Sequence, residues 1–244
     1  MTVKSGWIGW VALSGWLMAG QVLAGCVPTP MAGDLDLSVC KEWPAYPGLT
    51  INATAQFKRG SPSDDPEALS TYDFDLSVLD TAQSKPIATY YKAAAFVLDG
   101  VSLREITLDT ARYTLTTDLR AFGVRALSTN GSRINPMEEN LLSLYVKEGE
   151  KLRPVLDKLV VYRYGGEWDG DCEGERYEIS RTVEIAKTSS LGYADLIVKT
   201  LEKDTTSVGT GDACKTKTTD NKPVLTTLHY DGKSYVLPNG FQDL

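Results

Sequence analysis

One histidine in 244 residues is the tightest limit the chain sets on itself. His-rich zinc and non-haem iron sites draw on two or three imidazoles, so His229 alone excludes them. A Ser-His pair remains open on paper, because a two-residue turn at Asp231-Gly232 would set His229 opposite Ser234. No nucleophile-elbow pattern, oxyanion element or orienting carboxylate accompanies that pair, and a solvated cross-strand contact is the expected reading. A Lys/Arg block is also missing, and the net charge is -7, which argues against a nucleic-acid partner because phosphate binding needs a concentrated basic face. Gly165-Gly166 and Gly209-Thr210-Gly211 lack the strand-before, helix-after setting of a phosphate loop and read as turns. The remainder, 42% hydrophobic and 23% charged, is an ordinary globular composition.

Long uncharged runs are confined to residues 7–25. This stretch follows a short n-region with Lys4 and ends in small residues, after which the chain turns polar, as in a secretory signal. It is also long enough to cross a bilayer if left uncleaved. Trp7, Trp10 and Trp16 fall inside it and belong to no binding site. The stretch closes on Leu23-Ala24-Gly25-Cys26, which resembles the lipobox of bacterial lipoproteins. The resemblance covers the export segment alone. It implies cleavage before Cys26, diacylglycerol on the Cys26 thiol and a palmitate-type acyl group on its amine. Several acyl chains would anchor the chain stably in the membrane. With Val27 and Pro28 following and no Asp at the second position, the implied location is the outer membrane, facing the periplasm. The alternative is conventional cleavage after Ala24, giving a soluble periplasmic or secreted protein with Cys26 free to pair. The even count of Cys26, Cys40, Cys172 and Cys214 favours that alternative, and the four-residue motif favours lipidation, which is the reading adopted.

The expected organisation is a signal peptide over 1–25, a Pro- and Gly-rich lipid-anchored tether over 26–48, and one β-rich domain over 49–244. Trp43 and Tyr46 suggest that the end of the tether packs down. Tyr72, Phe74, Leu76 and Val78 alternate with polar residues, as do Tyr177, Ile179, Val183 and Ile185, which marks half-buried strands. Further runs lie at 88–98, 101–108, 111–117, 121–127, 140–147, 150–156 and 158–164. Asp99-Gly100, Glu148-Gly149 and Asp231-Gly232 separate such runs as hairpin turns do. Short helical turns are expected at 135–139, where Asn135 precedes Pro136, and at 61–69. The fold class is therefore mostly β, an antiparallel sandwich of short hairpin-connected strands, with a propeller-like arrangement as the competitor. The echo of Leu79-Asp80-Thr81-Ala82 in residues 108–111 is too short to establish a repeat.

Strands at 175–186 and 193–203, joined through 187–192, would bring Cys172 beside Cys214, so these two are expected to form a disulfide in an oxidising compartment. Cys40 is then the odd thiol, or the partner of Cys26 if no lipid is attached. The densest polar cluster is 167–175, with five carboxylates in nine residues. Asp169, Asp171, Glu173 and Glu175, with Gly174 at the sharp-turn position, form a calcium candidate. Ser180 stands where the bidentate Glu of a calcium loop would be, so a solvated, self-repelling hairpin is the expected outcome. A carboxylate pair for glycoside hydrolysis could lie in the same loop, but only geometry decides that. Tyr90, Tyr91, Tyr162 and Tyr164 could floor a groove, though Tyr is equally a good strand residue. The sequence leans away from catalysis and toward an envelope protein that binds another macromolecule, of inhibitor or immunity type. A carboxylate-dependent hydrolase and a structural envelope component are the alternatives.

Overall fold

The computed structural model describes residues 26–61 and 68–242. The export segment and most of the turn expected at 61–69 lie outside the described residues. The strands are β1 (Leu37–Glu42), β2 (Leu49–Lys58), β3 (Ser70–Asp80), β4 (Lys85–Leu98), β5 (Ser102–Thr114) and β6 (Arg120–Thr129), then β7 (Met137–Glu148), β8 (Lys151–Trp168), β9 (Gly174–Ser190), β10 (Tyr193–Val208), β11 (Lys215–Asp220) and β12 (Val224–Leu228). The chain is mostly β, as its alternation implies. All the strands belong to one mixed 12-stranded sheet rather than to two stacked sheets or radial blades.

The sheet runs β1-β2-β3-β4-β8-β7-β6-β5, with β9, β10, β11 and β12 continuing from β8. Every ladder is antiparallel except one parallel bridge between Thr89 of β4 and Lys151 of β8. The right-handed twist of so long a path curls the sheet on itself, and β5 comes to lie against β1. The Lys41 ammonium donates to the Leu108 carbonyl across that approach at 3.0 Å. Among the described residues no ladder joins β1 to β5, so the roll is not a closed barrel.

Two cores result. Inside the roll, Trp43, Ile51, Phe74, Leu76 and Phe122 are buried, and Trp43 packs edge-on against Tyr46 and Phe122 at 4.5 and 4.9 Å. The second core, with Leu142, Leu144, Leu156, Leu196, Val198 and Leu228, lies between β7, β8 and the β10–β12 pair. Tyr145 faces the first core and Leu144 and Val146 the second. That explains why Leu141-Leu142-Ser143-Leu144-Tyr145-Val146 does not alternate: a strand covered on both faces reads as a continuous apolar run.

Several expected boundaries are corrected. Residues 37–42 of the expected tether are β1, paired with β2, and Trp43 is only 2% exposed, so the folded unit begins ahead of residue 49. Residues 135–139 form no helical turn. The Asn130 side chain accepts from Met137 N at 2.9 Å and donates to Asn135 O at 2.8 Å, and β7 starts directly afterwards. The runs at 150–156 and 158–164 are one strand, β8, with a kink at Lys158 (φ 53°). The hairpin between β9 and β10 turns on Leu191-Gly192 alone, at φ 45° and 90°, the paired positive values a type I′ turn requires.

Cys172 pairs with Cys214 across the far end of that hairpin, with Cα atoms 5.7 Å apart, as antiparallel arithmetic predicts. Cys26 pairs with Cys40 of β1 at 6.0 Å, leaving no free cysteine among the described residues. Two disulfides suit an oxidising, extracytoplasmic compartment. Among the described residues no helix is long and apolar enough to cross a membrane.

Candidate binding surface at the tip of the long strands

β8, β9 and β10 outrun the second core. Along β9 no residue before Arg181 is buried, and along β10 beyond Thr200 only Ser207 is. This projecting part exposes both faces, so it is held by ladders and by local bonds rather than by apolar burial. Thr205 pairs with Thr218 at 3.1 Å and Ser207 with Thr216 at 2.9 Å, adding side-chain rungs between β10 and β11. Trp168 N donates to Ile134 O at 2.7 Å, and the Cys172–Cys214 bridge closes the end.

Register assigns the side chains, since directly opposed residues share a face and alternate residues change it. Trp168 opposes Gly174 and Gly166 opposes Arg176, so Trp168 and Arg176 stand on one face, with the guanidinium 3.8 Å from the indole centre. The other face carries Glu167 opposite Glu175, and Tyr177 opposite both Gly165 and Asp204. Gly165 is required there. A Cβ on it would stand 2.6 Å from the Tyr177 hydroxyl and 2.8 Å from Cζ, so the missing side chain lets the ring lie over the backbone. Glu167 and Glu175 are like charges directly opposed, a pairing that costs stability. Among the described residues neither has an ion-pair partner. The groove along these strands, from Ile134 to Thr206, encloses about 820 Å³.

The calcium candidates do not converge. The Asp169 carboxylate accepts from Asp171 N at 2.8 Å, and the Asp171 carboxylate accepts from Gly211 N at 3.2 Å. Both therefore cap backbone amides in and beside the loop, while Glu173 and Glu175 are exposed on their own. Among the described residues no three His, Cys, Asp or Glu side chains gather as a metal site. Nor do Glu167 and Glu175 make an acid–base pair. Hydrolysis sets its two carboxyl groups in unlike environments, one sheltered and one hydrated, and both of these groups are open to solvent. The four tyrosines form no common floor. Tyr90 packs edge-on against Tyr145 at 5.3 Å, Tyr91 donates to Asp73 at 3.0 Å, and Tyr162 and Tyr164 stand on β8 opposite Ser180 and Glu178.

His229 has a different neighbourhood from the expected one. Val236 N donates to His229 O, and Ser234 N donates to the Asp231 carboxylate at 2.7 Å, so the turn is longer than two residues and Ser234 is not opposite His229. The imidazole Nδ1 instead lies 3.2 Å from Ser190 Oγ and 3.2 Å from Asp195 Oδ1. Asp195 sits where the β9–β10 register slips between Ala194 and Leu196, and its side chain is 2% exposed. Burial pushes its pKa up, but the nearby polar groups of Ser190, Thr188 and His229 outweigh that and hold the carboxyl below its ordinary value. A hydrolytic triad needs the serine and the aspartate on opposite ring nitrogens. Here both meet Nδ1, so the trio is a clasp on the segment after β12 and not a nucleophile. Nothing in the sequence marks a bulge at Asp195, which is why the trio is invisible there.

No protein family, no curated protein and no solved structure matches this chain.

Proposed function

We propose that this is an exported, non-catalytic cell-envelope protein whose projecting sheet engages another macromolecule. The observation that carries the proposal is the tip itself. An ordered sheet that buries no core, is closed by a disulfide, and presents Trp168–Arg176 on one face and Tyr177 among opposed carboxylates on the other gains little for stability. It has the rigid aromatic anchors that binding surfaces use. The test compares the full chain with Trp168→Ala and with Tyr177→Ala in capture from detergent-solubilised envelopes. One variant should lose a partner that the wild type retains, with the melting temperature unchanged. Equal capture by all three proteins refutes the reading.

A second question, attachment, turns on one sulfur. A thioether to diacylglycerol and a disulfide to Cys40 both need Cys26 Sγ, so the lipoprotein proposed from Leu23-Ala24-Gly25-Cys26 and the soluble exported form exclude one another at that atom. The Cys26–Cys40 pairing supports the soluble form, and the motif supports the outer-membrane lipoprotein. Intact mass decides between them. A membrane-extracted species beginning at an acylated Cys26 establishes the anchor, and a water-soluble species with two intact disulfides removes it.

A further inference from the structure

β11 and β12 lie one after the other along the same edge of β10, with Asn221, Lys222 and Pro223 between them. One bond sets the backbone direction on this edge: Asn221 N donates to Glu202 O at 2.8 Å. In an antiparallel ladder a residue's N–H and C=O point to the same side, and alternate residues change side. The β9–β10 register runs without a slip from Leu196 to Ser207, so Leu196, Val198 and Thr200 turn their backbone groups toward this edge as Glu202 does. Opposite them stand Leu228, Thr226 and Val224. Leu225 and Thr227 therefore aim their N–H and C=O groups outward, and among the described residues no group bonds to them.

A free strand edge is a template for another strand, and proteins blunt such edges with charge, bulges or cover. This molecule does so elsewhere. β11 carries Lys215, Lys217 and Asp220, the rim of β4 bulges at 93–95 with Ala94 at φ 46°, and the Lys41 ammonium bridges the approach of β5 to β1. β12 has none of these devices. Val224-Leu225-Thr226-Thr227-Leu228 holds no charge, and Val224 and Leu225 are 58% and 67% exposed. The outward groups of Leu225 and Thr227 are complementary to one kind of occupant, an extended backbone laid alongside.

We propose that β12 pairs with β12 of a second copy of this chain, antiparallel about a twofold axis at Thr226. Residues that bond across the joint must both point their groups outward, and the axis at Thr226 satisfies this while engaging all five residues of the strand. Leu225 then lies opposite Thr227 of the second copy, and the two exchange both of their backbone bonds. Thr226 faces its own counterpart, a favourable cross-strand pair, and no charge opposes a like charge. Val224 stands beside Leu228 of the second copy, on the face that lines the second core. Five residues a side is small against the roughly 20–30 of a stable interface, so the association is weak and reversible. The twofold joint uses up both free edges and closes at the dimer. It does not rest on what the projecting sheet binds.

Sedimentation equilibrium of the full chain in density-matched detergent, from low micromolar to millimolar protein, tests the proposal together with amide hydrogen exchange at the two ends of the series. The mass should rise toward twice that of the monomer and no further. The amides of Leu225 and Thr227 should gain protection with concentration, while those of Thr226 and Leu228, already bonded to β10, should not change. Thr227→Pro removes an outward N–H and leaves the β10 ladder whole, and it should weaken the dimer by about tenfold or more. If the proline disturbs β12, Leu225→Lys serves instead. Leu225 is 67% exposed, so the change is tolerated, and it blunts this edge as Lys217 blunts β11. A monomer at every concentration would assign the edge to a strand of another protein and overturn the proposal. Growth past the dimer, protection that does not single out Leu225 and Thr227, or wild-type association in both variants overturns it equally.

Discussion

Arg181 provides a stringent test of how the end of the chain is held. It projects from β9 with 8% exposure and has no carboxylate in ion-pair distance among the described residues. Its guanidinium instead donates to Val160 O at 2.8 Å, Gly240 O at 3.2 Å and Thr200 Oγ1 at 3.3 Å, and covers the Phe241 ring at 4.3 Å. Burial lowers its pKa, and nearby Arg163 lowers it further. Replacement by Met keeps the stem and removes the charge. The loss is two charge-assisted bonds to carbonyls at roughly 1.5–3 kcal/mol each, a weaker bond to a hydroxyl, and a cation–π contact of about 1 kcal/mol. Against this, the several kcal/mol spent desolvating the cation are recovered. A net destabilisation of about 2 kcal/mol is expected, a fall of roughly 4–8 °C in melting temperature for a chain of this size. The loss should be local first. Arg181 bridges β8 to Gly240 and Phe241, so hydrogen exchange of Val160, whose N–H donates to Phe241 O, should accelerate before the amides of β2 and β3 do. Arg181→Lys, which reaches one acceptor instead of three, should fall between the two. Unchanged stability and unchanged Val160 protection in Arg181→Met would show that burial alone, and not the guanidinium, holds this segment.

Three further outcomes follow from the same structure. Non-reducing peptide mapping should return Cys172–Cys214 and Cys26–Cys40; removing the first, with a sequence separation of 42, should cost about 4 kcal/mol in the chain-entropy model, and the second, at 14, about 3 kcal/mol. A Cys40–Cys172 or Cys40–Cys214 cross-link would contradict the strand order beneath them. Because the Asp195 carboxyl is held below its ordinary value, its contribution is complete above an unfolded pKa of about 3.9 and disappears as pH falls through the depressed native value. Asp195→Asn should therefore be less stable at neutral pH and lose less on acidification, and parallel urea midpoints from about pH 7 to about pH 2 would refute this. Calcium up to about 1 mM should leave the melting temperature unchanged, whereas a rise would mean that the 167–175 loop rearranges around the ion.

What could be read from the residues, and what could not, divides along the range of the interactions. Alternation at 72–78 and 177–185 is local, and β3 and β9 lie where it puts them. Pairing Cys172 with Cys214 needed only a hairpin and a strand count. The clasp of Ser190, Asp195 and His229 needed a bulge between Ala194 and Leu196, and bulges are set by how strands settle against distant neighbours. Likewise the 167–175 cluster was conspicuous as composition, but Tyr177 over Gly165 and Arg176 over Trp168 exist only once the register of β8 against β9 is fixed. Cys26 is the instructive case. The lipidation its surroundings resemble would act on an extended precursor, before β1 exists. A disulfide to Cys40, by contrast, belongs to the folded state, where Cys40 lies opposite Asn52 on the β1–β2 ladder and the Cys26 Cα stands 6.0 Å from that of Cys40. The motif and the fold therefore speak for different moments of the same chain, and the structure records where the Cys26 thiol goes when it reaches the folded state unmodified.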